Sequence, residues 1–210
     1  MIELLVVDDH VIFREGIKKV LSGTSDIRVA GETGDGDEAL RLMLERKYDV
    51  VLLDLALPGM AGLDILRALK MHGRVLSVLV LSIYPEEQYA VRVLKEGAAG
   101  YLTKESVPSD LVRAIRKAAQ GGRYVSESLA ERLADRVADE GEKQPHDALS
   151  NKEYQVFQMI ASGRSVKEIA VNLSLARTTI STYRNRILLK LDMKSTAQLV
   201  RYAVEHGLVL

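Results

Sequence analysis

The sequence predicts an α/β fold, a doubly wound five-stranded parallel sheet of the flavodoxin-like kind, followed by a small all-α domain. Three observations lead there. Five strand-like runs within residues 1–120 are each followed by an amphipathic stretch, the alternation expected of a parallel sheet with crossover helices. The first, third and fourth runs are almost wholly apolar, as strands covered on both faces are. From Ser150 onward only helical periodicity remains.

Taken in order, the strand-like runs are Glu3–Val7, Ile27–Ala30, Val50–Leu53, Leu76–Leu81 and Ala99–Leu102. The helices between and after them are predicted over Val11–Leu21, Asp37–Arg46, Gly62–Met71, Glu86–Lys95 and Val107–Gln120, the last stopped by Gly121-Gly122. Ser126–Ala138 reads as an amphipathic linker helix, with Leu129, Leu133 and Val137 four residues apart. Asp139–Asp147 is polar, holds a Gly and a Pro, and reads as a flexible linker. Ser150 and Glu153 have the spacing of a capping box that opens the first C-terminal helix. Ser165–Leu173, a turn at Ser174-Leu175-Ala176, and Arg177–Leu191 form a helix-turn-helix pattern. The expected domains are 1–121, a linker 122–148, and 149–210.

Composition narrows the function. There is no cysteine, which excludes disulfides and thiolate metal sites and fits a reducing cytosol. The opening apolar run, Leu4–Val7, is too short for a secretory signal, and no run approaches the roughly 18 apolar residues of a membrane helix. The expected location is therefore cytoplasmic, with no membrane partner. The net charge is zero, but residues 149–210 carry 9 basic and 4 acidic residues, against 20 and 25 in residues 1–148. A basic C-terminal domain suits a polyanion, and the acidic remainder does not.

The polar residues of the first domain fall where such a fold binds ligands, outside the carboxyl ends of the strands. Asp8 and Asp9 follow the first strand, Asp54 the third, Ser82 the fourth and Lys104 the fifth. In the order 2-1-3-4-5 the first and third strands are neighbours, about 4.8 Å apart. Carboxylates that close repel one another unless a cation lies among them, and hard oxygen donors suit Mg²⁺. One such residue is an ordinary loop polar group; five on one edge form a site.

The motifs VVDDH (6–10), LLDLALPGMAG (52–62), LSIY (81–84) and GYLTK (100–104) resemble the receiver domain of two-component response regulators, over residues 1–120. The resemblance implies that Asp54 is the phosphoacceptor. It makes Asp9 a direct Mg²⁺ ligand, Asp8 a ligand acting through water, and the Ala56 carbonyl a further one. Ser82 and Lys104 then receive the phosphoryl oxygens, and Tyr101 is the rotating aromatic of the switch. Two positions depart from the pattern: Leu57 precedes Pro58, and Glu105 rather than proline follows Lys104. His10 is assigned to the turn rather than to the chemistry.

In the C-terminal domain, Leu149, Glu153, Gly163, Ser165, Lys167-Glu168-Ile169-Ala170, Thr179-Ile180 and Lys190-Leu191 resemble the LuxR-type helix-turn-helix of NarL/FixJ response regulators. Together the two resemblances imply a phosphorylation-controlled transcription regulator. Its partners would be a sensor histidine kinase, double-stranded promoter DNA, a second copy when phosphorylated or on DNA, and RNA polymerase. Two rivals are a Mg²⁺-dependent aspartyl phosphohydrolase and a regulator independent of phosphorylation. The first lacks the second acid two residues after its nucleophile, since that position is Ala56. The chain is then no enzyme beyond its own phosphorylation and dephosphorylation.

On the recognition helix, Ile180, Ile187 and Leu191 share an apolar face with Tyr183 beside it. Ser181, Thr182 and Asn185 project elsewhere and are assigned with Thr178 to DNA, the first three to base edges. Arg177, Arg186 and Lys190 are assigned to phosphates, and Arg184, near the apolar face, less firmly so. Ala176 stands where the family often has a capping hydroxyl, and Ser181 where several members carry Lys. Leu189 lies opposite the apolar face with no role assigned. Ser195–Glu205, with Leu199, Val200 and Ala203, is the candidate dimer helix, its alternative role being packing within the small domain.

Overall fold

The computed structural model describes residues 1–106, 108–131, 144–173 and 175–209, without the side chains at 87, 88 and 151. The described residues form two compact units, one on each side of the gap between 131 and 144. Among them, no helix is long and apolar enough to cross a membrane.

The first unit is the expected sheet. β1 (Ile2–Val7), β2 (Ile27–Thr33), β3 (Val50–Leu53), β4 (Ser77–Ser82) and β5 (Gly100–Thr103) are all parallel, in the order β2-β1-β3-β4-β5. The helices are α1 (Val11–Leu21), α2 (Gly36–Glu45), α3 (Gly62–Met71), α4 (Glu86–Lys95) and α5 (Pro108–Ala119). Side-chain alternation divides the strands between two cores. Leu4, Val6, Leu52, Leu79 and Leu81 pack with Ile17 and Leu21 of α1 and with Leu111, Ile115 and Ala118 of α5. Leu5, Val51, Leu53, Val78 and Val80 are also buried, as are Ala39, Met43, Ile65, Leu66, Ala90 and Val93 of α2, α3 and α4. Sheets buried on both sides explain why the central runs read as unbroken apolar sequence.

The strand that differs most from expectation is β2, which runs three residues past Ala30. Its extension, Gly31-Glu32-Thr33, lacks a strand's apolar signature because it lies at the sheet edge. β1 nevertheless pairs with it throughout, with a register shift between Leu4 and Leu5 that leaves Ala30 unmatched. A Cβ on Gly31 would lie 2.8 Å from Tyr48 Oη and 3.2 Å from Leu5 Cδ1, so a larger residue there would displace those side chains. β4 is shifted one residue, so Ser82 closes it.

Beyond β5, residues 127–131 are helical, and Ser126 Oγ accepts the Leu129 N–H at 3.1 Å. Leu129 is buried. Leu133, Val137 and the rest of that expected helix lie outside the described residues, as do Val107, Ser174 and the linker as far as 143.

The second unit holds α6 (Asn151–Ala161), α7 (Val166–Asn172), α8 (Arg177–Lys190) and α9 (Thr196–Glu205). The Ser150/Glu153 capping box is present, and Ser165 with Glu168 forms a second one that opens α7. Tyr154, Phe157, Ile169, Ile180, Ile187, Leu199 and Ala203 fill its core. One expectation changes. Pro145–Ala148, at the end of the stretch read as flexible, forms a 3₁₀ turn. His146 causes the change: it is buried, its Nδ1 lies 2.9 Å from Tyr202 Oη, and it packs among Tyr154, Tyr202 and His206.

Candidate functional site

The register of the sheet assembles the acid pocket. Val7 pairs with Leu53, so the residues that follow, Asp8 and Asp54, leave adjacent strands side by side. Backbone bonds continue the ladder past the strand ends: Asp54 N donates to Val7 O at 2.9 Å, and Lys104 N to Ser82 O at 2.8 Å. Two glycines allow the surrounding loops to close. A Cβ on Gly62 would meet Asp54 O at 2.4 Å, and one on Gly36 would overlap Met60 O.

Asp8, Asp54 and Ser82 are buried at 2%, 2% and 0% exposure, while Asp9 is exposed. Lys104 Nζ lies 2.6 Å from Asp8 Oδ2 and 2.7 Å from Asp54 Oδ2, and 4.7 Å from the centre of the Phe13 ring. Asp54 Oδ1 accepts the Ala56 N–H at 3.2 Å. Burial raises the Asp54 carboxyl above its ordinary value, against the Lys104 ammonium, which pulls it down. Burial disfavours the Lys104 ammonium, but its bonds to Asp54 and Asp8 prevail and raise its value.

Tyr101 is fully buried, and its hydroxyl donates to Tyr84 O at 2.8 Å. Burial pushes its phenol well above the ordinary range. Tyr84 N in turn donates to Ser82 Oγ at 3.3 Å, so Ser82, Tyr84 and Tyr101 form one connected group. Every residue that the sequence assigns to the pocket thus lies at this edge of the sheet.

Two further residues join it. Arg14 Nη1 donates to Asp8 O at 2.6 Å and fixes the turn after β1. His10 Nδ1 lies 2.7 Å from Asp9 Oδ1 and 3.2 Å from Asp8 Oδ1. The DDH run signals His10 by position, but strand patterning says nothing of its ring direction.

The donor set fits a divalent cation. Asp8, Asp9, His10 and Asp54 each offer one ligand atom, all within 4.8 Å of one another. The carboxylates are the hard donors that Mg²⁺ takes. Of the four residues assigned to the cation, Asp8, Asp9 and Asp54 lie in this cluster, and Ala56 turns its N–H to Asp54.

In the second unit, α8 presents Arg177, Thr178, Thr182, Asn185, Arg186 and Leu189 as exposed, with Ser181 and Arg184 half-buried. Thr178, Thr182, Asn185 and Leu189 are spaced 4, 3 and 4 residues apart, one stripe along the helix. Leu189 is 80% exposed at its C-terminal end. Thr182 Oγ1 donates to Thr178 O at 2.9 Å, so its proton is committed within the helix. Among the described residues, no side chain caps α8 at Ala176. Lys190 differs from the other assigned cations: its ammonium donates to Glu153 Oε2 at 2.6 Å and Ala148 O at 3.3 Å, so a phosphate role competes with an internal pair.

Comparison with known proteins matches both units. Residues 4–116 match the family model "Response regulator receiver domain", and residues 147–203 match "Bacterial regulatory proteins, luxR family". The chain is 34% identical over 209 residues to the response regulator UvrY of Escherichia coli K12, covering 99% of this chain and 96% of that one. It is 38% identical over 210 residues to the response regulator GacA of Pseudomonas aeruginosa, covering 100% and 98%. Among solved structures it resembles the RcsB response regulator of Salmonella typhimurium, at 28% identity and a TM-score of 0.58, covering 97% and 98%. It also resembles RcsB from Salmonella enterica serovar Typhimurium bound to promoter P1flhDC in the presence of BeF₃⁻, at 27% identity and a TM-score of 0.60, covering 96% and 97%. The chain therefore belongs to the two-component response regulators, as a phosphorylation-controlled transcription regulator that joins a receiver domain to a LuxR-type DNA-binding domain.

Proposed function

We propose that Asp54 is the phosphoacceptor, that a sensor histidine kinase is the donor, and that Mg²⁺ is the cofactor. The observation that carries this reading is the Lys104 ammonium held between the buried Asp8 and Asp54 carboxylates. Asp8, Asp9, Asp54 and the Ala56 carbonyl would hold the cation, which neutralises charge on the phosphoryl oxygens when bound. An Asp54 oxygen attacks phosphorus as the bond from phosphorus to the kinase imidazole breaks, and the imidazole nitrogen keeps the electron pair. Lys104 moves from two carboxylates to a phosphoryl oxygen, a charge-assisted bond. Ser82 turns to donate its hydroxyl proton to another oxygen, and that rotation draws its Oγ away from the Tyr84 N–H it now accepts. Tyr101, bonded to Tyr84 O, follows that loop.

The phosphohydrolase reading fares worse because Ala56 offers no proton donor. Independence from phosphorylation would leave a costly buried acid–ammonium cluster without a use.

We assign residues 1–121 to the receiver, 122–148 to the linker and 149–210 to the DNA-binding domain, in a cytoplasmic protein. The second domain binds promoter DNA as a homodimer, and RNA polymerase is the downstream partner; Leu199 and Ala203 are taken up by the domain's own core, so the candidate contact on α9 is its outward side, where Val204 is exposed. Arg177, Thr178, Ser181, Thr182, Asn185, Arg186 and Lys190 form its DNA face. RcsB, a relative in fold and sequence, has been seen as two dimers bound to two parallel DNAs. A small phosphodonor with Mg²⁺ tests the first assignment. One base-labile phosphoryl group is expected on Asp54, and none in Asp54→Ala; undiminished labelling of that variant rejects the assignment.

A further inference from the structure

We propose that His10 is an additional ligand of the receiver's divalent cation, and that its imidazole shifts the pocket's preference towards cations that take nitrogen as well as oxygen. The inference rests on the reading of the acid pocket as a cation site and concerns which cation it selects.

The argument is geometric. Octahedral ligands about 2.0–2.1 Å from a cation stand about 3 Å apart along each edge of the octahedron. His10 Nδ1 is 3.2 Å from Asp8 Oδ1 and 2.7 Å from Asp9 Oδ1, both near that edge length. Those are also the lengths of imidazole N–H bonds to carboxylates, so a cation bound there would take the place of the ring proton among the same three groups, and Asp54 completes a set whose atoms all lie within 4.8 Å.

Lys104 does not block this arrangement. It takes Oδ2 of Asp8, while the imidazole and the His10 backbone N–H face Oδ1, the latter at 2.8 Å. The two sides of one carboxylate are divided between a resident ammonium and the side from which the imidazole approaches. The His10 backbone is held, while its side chain is 66% exposed. It stands at the N-terminus of α1, whose first turn closes on it through bonds from Phe13 N and Arg14 N to His10 O at 3.0 and 3.1 Å. Arg14 clamps Asp8 O from the same turn.

Imidazole is a poor match for Mg²⁺, which prefers oxygen and retains water, but suits later first-row divalent cations. A pocket with three carboxylates alone would rank cations by charge and size. With an imidazole beside two of those carboxylates, Co²⁺ and its neighbours gain an affinity that Mg²⁺ does not share.

Direct binding to the full, unphosphorylated chain tests this. Co²⁺ and Mg²⁺ affinities are measured for wild type, His10→Ala and His10→Gln, with thermal melts to confirm that each variant is folded. Pulsed electron paramagnetic resonance of bound Mn²⁺ reports a coordinated nitrogen. The expected result is a tenfold or greater fall in the Co²⁺-to-Mg²⁺ affinity ratio in both variants, and nitrogen modulation in wild type alone. An unchanged ratio, or Mn²⁺ bound without nitrogen coupling, overturns the proposal while leaving the Mg²⁺ reading intact. If wild type binds none of the three cations, the cation-site reading falls and this inference falls with it.

Discussion

The Lys104 ammonium lies 2.7 Å from Asp54 Oδ2, and the same nitrogen reaches Asp8 Oδ2 at 2.6 Å. Lys104 is only 10% exposed, and the two acids less so. Removing it leaves two buried carboxylates without their cation. Lys104→Met should cost about 3 kcal/mol of receiver stability in the presence of a chelator. Added Mg²⁺ should return part of that loss by binding the folded state. The sign of the pH effect follows from the raised ammonium value: the pair's contribution is complete below the ordinary value, about 10.4, and disappears as pH rises through the raised one. Urea unfolding with and without Mg²⁺ measures the first two effects, and a variant as stable as wild type in chelator would contradict the argument.

Asp54 gives a pH signature of its own. Burial raises its carboxyl despite Lys104, so the folded chain holds this proton more tightly than the unfolded chain. Stability therefore falls as pH rises from the ordinary carboxylate value, about 3.9, through the raised value. Asp54→Asn removes that dependence. Its stability relative to wild type should increase across this interval and stay constant above it. Unfolding curves at several pH values, without divalent cations, decide; a relative stability that decreases with pH would reverse the assignment of burial as the dominant cause.

Glu153 behaves in the opposite sense. Burial pushes its carboxyl up, but Lys190 and the Ser150 capping groups outweigh burial and hold it below the ordinary range. Its stabilisation of the helical unit is present above about pH 4.3 and is lost as pH falls through the lowered value. Lys190 is 41% exposed, so solvent screens the pair, and Lys190→Ala should cost only about 1 kcal/mol. Hydrogen exchange in α6 reads this loss. If exchange is unaltered while DNA binding weakens, Lys190 serves phosphate rather than Glu153.

How much of this was legible in the sequence depends on the kind of signal. Four helices, α1, α3, α4 and α8, begin at the expected residues; in α1, α3 and α4 an amphipathic pattern marks the start, because periodicity and burial are the same fact seen twice, whereas α8 is placed by the turn before it. Asp8, Asp54, Ser82 and Lys104 were legible because strand ends are fixed by the apolar runs before them. The tail of β2 was not, since an edge strand need not be apolar. The direction of the His10 ring was not, because it depends on a turn rather than a period. The 3₁₀ turn at Pro145–Ala148 was hidden for a third reason: its anchor, Tyr202, lies 56 residues away from His146, and a polar stretch carries no mark of a distant aromatic partner. Ser126 shows the same limit. Its hydroxyl hydrogen-bonds Glu86 at the start of α4, a tie between α4 and residues 127–131 that no local pattern announces.

The exposed stripe of α8 gives the sharpest test of DNA reading. Asn185 stands midway along it, between Thr182 and Leu189, on the side away from the buried Ile180 and Ile187. An amide there can offer a donor and an acceptor together to a base edge in the major groove, so it is assigned to readout. Arg186 is exposed one position on, rotated about a quarter-turn around the helix, and is assigned to the phosphate backbone of the duplex. Asn185→Ala should cost roughly 1–3 kcal/mol at one base position and relax preference there alone. Arg186→Ala should weaken binding to all sequences alike and lower the salt slope by about one. Binding-site selection with both variants, repeated at two salt concentrations, separates these effects. If the Asn185 variant selects the wild-type site unchanged while the Arg186 variant selects a different one, the division of labour on α8 is the reverse of that assigned.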